Sequence, residues 1–361
     1  MSKRIITLGG GMVGSAIARD LKEQKYSVTV ADRDESLKAR LAPFGIDYLN
    51  LDFSNNNAVT DAVKNFDLVI GAVPGFMGFD ILKTVLEAGK DMVDISFMPE
   101  DSRDLTQLAE KNKVTAVTDA GVAPGLSNLL FGRALFEYDE LYYAYCYVGG
   151  LPQNPKPPWW YKSVFSPIDV IEEYTRPARF VLNGKMITKP AMTDIEEITF
   201  DNIGTLDAFN SDGLRSLLDM PIPNMVEKTL RYPGHIQKIV EMQGNGFFEP
   251  EKIKQTAESL FKEWKPCEGD YDQTIMHLEF KGMKNGNEVF KQYDLLDYYD
   301  QDKEITSMAR TTGYTCAAVA NIILSGDFKK NGVFTLENFG RETKLVDNIL
   351  HYLSERNIQF N

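Results

Sequence analysis

Three glycines, Gly9, Gly11 and Gly14, form GxGxxG directly after the apolar run RIITL and at the opening of a helix-like stretch that begins with Met12 and Val13. That residue type at that spacing allows a tight turn, lets backbone approach a pyrophosphate, and sets a helix N-terminus with its partial positive charge against the phosphates. The chemistry implied is dinucleotide binding. Asp32 lies 18 residues past Gly14 at the end of the second apolar run, where a carboxylate takes the adenosine ribose hydroxyls; its alternative role is to cap a helix beginning near Glu35. Arg33 could meet a 2′-phosphate, but the neighbouring acid would repel that group, so NAD is expected over NADP, with NADP left open.

In an open parallel sheet, ligands sit beyond the carboxyl ends of the strands, which directs attention to three strand-end stretches. Val73, Pro74 and Gly75, followed by Phe76, read as a backbone shelf for the nicotinamide ribose. Asp94 and Asp119 end successive apolar runs and are candidates for acid–base work on one rim, with helix capping or a turn contact as the alternative for each. His235, one of three histidines, follows RYPG and precedes a helix. It is the third acid–base candidate, although a lone histidine at a helix start is usually just a neighbour of the cap, and its candidacy needs support from outside the spacing. His277 and His351 read as structural or exposed. No His, Cys or carboxylate cluster has metal-ligand spacing, no GxSxG elbow occurs, and Cys146, Cys267 and Cys316 are isolated, so neither a metal site nor a disulfide framework is expected.

These residues need elements to position them. Over the first 120 or so residues, the runs RIITLGG, SVTVAD, DYLNLD, DLVIGAVP, DMVDIS and TAVTDAG alternate with helical spacing, the pattern of βαβ units in an α/β fold. A Rossmann-type doubly wound parallel sheet is expected over residues 1–124. From LYYAYCYV onward the period becomes two, and Asn183-Gly184 and Asn285-Gly286 sit between strand-like flanks as two-residue hairpin turns. A second, α+β substrate domain with a mixed, mostly antiparallel sheet is expected over 125–306. The tail 307–361, helical at its Ala-rich part, is expected to return to the first domain. The Pro-rich PQNPKPPWW reads as an extended loop rather than a disordered linker.

Composition restricts the function classes. A chain of 361 residues with 43% hydrophobic and 25% charged residues has material for two cores. Its net charge of -13 and lack of Lys/Arg clusters argue against nucleic acid and anionic membrane surfaces. The opening MSKRIITLGG enters a strand-like run at once, with no apolar stretch of signal-peptide or membrane-span length, so a cytoplasmic location is the expectation.

The stretches GAVPGFMGF, MVDISFMPE, DAGVAPGLSN, YVGGLPQNPKPPWWYK, SPIDVIEEYTRPAR, SDGLRSLL, TLRYPGH and MARTTGY resemble the lysine 6-dehydrogenases, relatives of the saccharopine reductases, over nearly the whole chain. The resemblance implies a Rossmann domain with a second domain that carries substrate and oligomer contacts, and a homodimer or larger homo-oligomer. It implies NAD-dependent oxidative deamination of the ε-amino group of L-lysine to the semialdehyde, which cyclises to a piperideine carboxylate. Such chemistry needs a group that attracts the ammonium and takes its proton, for which Asp119, Asp94 and His235 are candidates and Glu100 an outside one. It also needs a cation for the substrate carboxylate, for which Arg231, Arg310 and Arg215 lie on matching motifs. Arg176 is as suited to an ion pair, and Tyr161 with Lys162 could close over the substrate. DAGVAPGLSN then reads as the crossover between domains, with Asp119 facing substrate. The rival readings are a secondary-amine-forming enzyme of the saccharopine reductase or carboxynorspermidine dehydrogenase kind, and a non-catalytic dinucleotide-binding sensor.

Overall fold

Continuous apolar runs, rather than alternating ones, are what a sheet covered on both faces requires, and the amino-terminal runs form such a sheet. The computed structural model describes residues 2–360 and divides into two units, Met1–Arg133 with Ala309–Asn357 and Ala134–Met308 with Ile358–Asn361. In chain order the elements are β1 (Arg4–Leu8), α1 (Met12–Glu23), β2 (Ser27–Asp32), α2 (Ser36–Leu41), β3 (Asp47–Asn50), α3 (Asn56–Val63), β4 (Leu68–Gly71), α4 (Gly75–Glu87), β5 (Met92–Asp94), α5 (Thr106–Asn112), β6 (Thr115–Val117) and α6 (Leu126–Glu137). There follow β7 (Glu140–Pro152), α7 (Pro167–Thr175), β8 (Ala178–Leu182), β9 (Lys185–Lys189), β10 (Glu196–Phe200), β11 (Gly204–Asn210), β12 (Met225–Arg231), α8 (His235–Gly244), α9 (Ile253–Trp264), β13 (Asp272–Lys284) and β14 (Asn287–Tyr298). The chain closes with α10 (Ser307–Ser325), β15 (Gly332–Phe334) and α11 (Thr343–Ser354).

The first unit carries a seven-stranded sheet in the order β15-β6-β5-β4-β1-β2-β3, every pairing parallel. The order reverses between β1 and β4, the switch point where such sheets take ligands. Its core is aliphatic, from Ile6, Leu8, Val69 and Met92 in the strands to Ile81, Leu82 and Val85 of α4. The tail does return to this unit, but it brings a strand as well as helices: β15 pairs with β6, Val333 against Ala116. Asp20, buried on α1, accepts from Arg356 Nε at 2.5 Å and from the Tyr352 hydroxyl, and Tyr26 donates to Asn321 of α10 at 2.7 Å. The unit boundary falls at Arg133 rather than at 124. The reason is that α6 is anchored to the returning tail, through Asn128 Nδ2 to Glu337 at 3.2 Å and Arg133 Nη1 to Thr343 at 2.7 Å. The second boundary falls at Met308 rather than 306, since the Ser307 and Met308 N–H groups donate to Asp272 of β13 at 2.8 and 3.0 Å.

The second unit is built on an eight-stranded sheet whose main path is β10-β11-β12-β7-β13-β14, with β8 joining β12 to β9. The β7–β12 pair is parallel and the rest are antiparallel, so the sheet is mixed. Asn183-Gly184 and Asn285-Gly286 turn their hairpins with positive φ at both residues (50° and 72°, 53° and 76°), as a type I′ turn demands. Helices α7, α8 and α9 enclose an aromatic core of Tyr161, Tyr174, Phe209 and Trp264. Trp159 and Tyr161, which follow the Pro-rich loop, are part of that packing, each edge-on to Trp264. Among the described residues no helix is long and apolar enough to cross a membrane.

Candidate active site

The phosphate cradle shows why its glycines are glycines. Gly9 has φ +105°, and a β-carbon there would lie 2.3 Å from the Ala72 carbonyl oxygen, while one on Gly14 would lie 2.1 Å from the Gly9 oxygen. Both are excluded by backbone. Gly11 differs, because a β-carbon there would meet nothing within 4 Å, so its bare α-carbon opens on free space at the start of α1. No side chain caps that helix. An open glycine before uncapped first-turn N–H groups fits a pyrophosphate. Met12 and Val13 form the first turn between Gly11 and Gly14.

Asp32 ends β2 with both carboxylate oxygens oriented: Oδ2 accepts from Gly10 N–H at 2.6 Å and Oδ1 from Asp34 N–H at 3.0 Å. Each oxygen keeps a lone pair for a ribose hydroxyl. Arg33 is exposed. Asp52 is held below the usual carboxylate range chiefly by the Ser54 N–H and hydroxyl, with Arg33 a smaller contributor. Across the switch point, Val73 is buried, Pro74 is the N-cap of α4 and Gly75 opens the helix.

Asp94 ends β5 and Asp119 lies two residues past the end of the neighbouring β6, and the two segments are joined by Ala120 N–H to the Asp94 carbonyl at 3.0 Å. Asp94 is fully buried, its carboxylate accepting from the Ser96 N–H at 2.8 Å and hydroxyl at 3.1 Å. Its space comes from Gly71 on the next strand, where a β-carbon would sit 1.8 Å from Oδ2. Burial pushes the nearby Cys316 thiol up, and the Asp94 charge adds to the effect, so this cysteine stays protonated. Asp119 is 4% exposed and adopts φ +52°, in the left-handed region that Asp enters more readily than most non-glycine residues. The loop beyond closes on itself: Leu126 N–H donates to the Gly121 carbonyl at 2.9 Å, Gly125 N–H to Asn128 Oδ1 at 3.0 Å, and a β-carbon on Gly125 would lie 2.1 Å from the Gly121 oxygen. DAGVAPGLSN is therefore a rigid buckle that fixes the backbone after Asp119. Arg310 lies in the same unit on α10, mostly buried, with Nη2 donating to the Arg356 carbonyl at 2.7 Å.

The remaining candidates are in the second unit, and the structure gives several of them a different role. His235 is fully buried; its Nδ1 is 2.8 Å from the Trp159 carbonyl, which can only accept, so Nδ1 carries the proton and Nε2 accepts from the Tyr174 hydroxyl at 3.0 Å. Burial, with the Arg231 charge adding, pushes its pKa down to about 3. Both nitrogens are spent and none of the ring reaches solvent, so the sequence expectation of an acid–base role is corrected to that of a neutral core histidine. Arg231 is committed likewise: Nε to Tyr174 at 3.0 Å, Nη1 to the Leu230 carbonyl at 2.9 Å, and Nη2 to Glu173 at 2.6 Å. Tyr161 is buried beneath that guanidinium, 4.7 Å from ring to Arg231 Cζ, which makes it packing rather than a closing side chain. Arg215 is half-buried at the start of a 3₁₀ turn, with φ +48°. Glu227 escaped notice in the sequence. It is buried on β12, accepts from the Ser211 hydroxyl at 2.9 Å, and is pushed up to about 7 by burial, with Ser211 opposing and Glu173 adding. Among the described residues no group of His, Cys, Asp and Glu could hold a metal ion.

A profile of the saccharopine dehydrogenase NADP-binding domain matches residues 5–117, and one of the saccharopine dehydrogenase C-terminal domain matches residues 121–358. The chain belongs to the saccharopine dehydrogenase family. The two matches meet around Asp119, and the first contains the whole cradle, so the amino-terminal part is the family's nicotinamide-dinucleotide domain. Among relatives, the chain is 23% identical over 371 residues to the saccharopine dehydrogenase [NADP(+), L-glutamate-forming] of Pyricularia oryzae, covering 95% of this chain and 82% of that one. It is 26% identical over 274 residues to the mitochondrial alpha-aminoadipic semialdehyde synthase of Mus musculus, covering 71% of this chain but only 29% of that longer protein. The apo saccharopine dehydrogenase (L-Glu forming) of Saccharomyces cerevisiae has the same fold, with a TM-score of 0.82 over 100% of this chain and 99% of that one at 19% identity.

Proposed function

We propose that this chain is a nicotinamide-dinucleotide-dependent oxidoreductase of lysine metabolism that oxidises L-lysine at its ε-carbon. The observation that carries the reading is the pair of buried carboxylates, Asp94 at the end of β5 and Asp119 just past the end of the adjoining β6, in the domain that holds the cradle. An ammonium group cannot release hydride from its carbon until it is neutral, so the site needs a fixed negative charge to draw the cation in and a carboxylate to take its proton. Asp94, tied by Ser96, suits the fixed charge, and Asp119 suits the proton acceptor. The dinucleotide, when bound, supplies the hydride acceptor. Loss of hydride from the ε-carbon leaves an imine, water adds, ammonia departs, and the aldehyde forms. Arg310, in the same unit as the two acids, is the cation offered to the substrate carboxylate, with Arg215 the next candidate.

The oriented carboxylate of Asp32 favours NAD, since it would repel a 2′-phosphate, although the family's domain is described as NADP-binding. A second reading, oxidation or formation of a secondary amine such as saccharopine, is favoured by the relatives, which are saccharopine dehydrogenases. The two are separated by following reduced-nicotinamide absorbance with NAD or NADP and either L-lysine or saccharopine at alkaline pH. Reduction with lysine supports the first reading. Reduction with saccharopine alone supports the second, and NADH binding with no turnover on any amine would leave a dinucleotide sensor.

A further inference from the structure

Three large apolar side chains stand in solvent among the described residues of the dinucleotide-binding unit: Met12 (41% exposed), Phe44 (42%) and Phe76 (64%). Phe44 has a partner, the Arg19 guanidinium 4.1 Å from its ring centroid. Phe76 does not belong where it is by the logic of its own helix. The buried face of α4 is Gly75, Gly78, Ile81, Leu82 and Val85, while Asp80, Lys83 and Glu87 form the solvent stripe. Phe76 heads that polar stripe, and folding gains almost nothing from an aromatic ring left in water.

Its address is informative. Phe76 follows Gly75 in the first turn of α4, beyond the end of β4, and the preceding Ala72 carbonyl is the group against which Gly9 of the cradle packs. Asp32 marks the adenosine end of the groove on β2, on the far side of β1 from β4. The β4–α4 turn is therefore at the nicotinamide end. Single exposed apolar side chains are ordinary on a protein surface, but one placed at the rim of a ligand site is available for the ligand to cover.

We propose that Phe76 is the ring that covers the nicotinamide of the bound dinucleotide, shielding one face of that flat heterocycle from water. The inference rests on the dinucleotide reading of the cradle. It is tested by titrating NADH, followed by its own fluorescence, and ADP-ribose, which lacks the nicotinamide, followed by calorimetry, into the full chain and into Phe76→Ala and Phe76→Tyr. Because Phe76 is exposed, both variants should melt with the parent. The expected result is NADH binding about three- to tenfold weaker for Phe76→Ala, close to the parent for Phe76→Tyr, and unchanged ADP-ribose affinity throughout. Equal NADH affinity in Phe76→Ala and parent overturns the proposal, as does an equal loss for both ligands. A parent chain that binds neither ligand overturns the dinucleotide reading and this proposal with it, an outcome distinguishable from the first two.

Discussion

Two clusters of buried polar residues, one in each unit, look alike in the sequence and differ in the structure. Around His235, the Trp159 carbonyl, the Tyr174 hydroxyl, the Arg231 guanidinium and the Glu173 carboxylate satisfy one another inside an aromatic shell. Asp94 ends β5, held by its neighbour Ser96, and Asp119 lies just past β6 in a left-handed conformation ahead of a closed glycine loop, in the domain with an open phosphate cradle. Burial is common to both. What separates the core network from the proposed site is where each hydrogen bond goes: the first closes among its own side chains, and the second lies in the unit that carries the cradle.

Substitutions should separate the two clusters by what they damage. The largest effect is expected for Asp119→Asn, which keeps the shape and removes the proposed proton acceptor. Amine-dependent reduction should fall by about 10²- to 10⁴-fold, with melting temperature and NADH affinity near the parent. An active Asp119→Asn would dissolve the contrast.

His235→Ala should do the reverse, costing about 3 kcal/mol in denaturant unfolding from the lost buried hydrogen bonds and the cavity, while the folded fraction keeps its turnover. The pH dependence has a defined sign. The folded pKa of about 3 lies below the ordinary 6.5, so between these values the unfolded chain binds a proton that the native chain does not, and stability falls on acidification through that window. His235→Gln should flatten this part of the curve.

Glu227 sharpens the comparison with a smaller effect of opposite sign. Its folded pKa of about 7 lies above the ordinary 4.5, so the native state holds a proton that the unfolded state has released, and its contribution falls as pH rises from 4.5 to 7. Glu227→Gln should gain on the order of 1–2 kcal/mol relative to the parent at pH 8 compared with pH 5. Unfolding curves at the two pH values read it directly.

Much of this was legible before the structure. The six runs correspond to β1 to β6, because the inner strands of a parallel sheet covered on both faces are mostly apolar, while the edge strand β3 is half-exposed; Asn-Gly marks both hairpins, because few residues tolerate positive φ. The strand β15 was not legible: β5 and β6 are as short but recur between helical segments, whereas Gly-Val-Phe stands alone in the tail and runs at once into a 3₁₀ turn. Nor was the role of His235, whose partners Tyr174 and Trp159 lie 61 and 76 residues away, so that its protonation is decided by packing no local pattern reports. The unit boundary at Arg133 was hidden for the same reason, since α6 is claimed by residues more than 200 positions later.

The central claim, that hydride leaves the ε-carbon of lysine, is tested most directly with L-lysine deuterated at that carbon, incubated with the protein and NAD. The account predicts that the reduced dinucleotide carries deuterium. Reduced dinucleotide without deuterium, or none at all with lysine while saccharopine supports reduction, would contradict it.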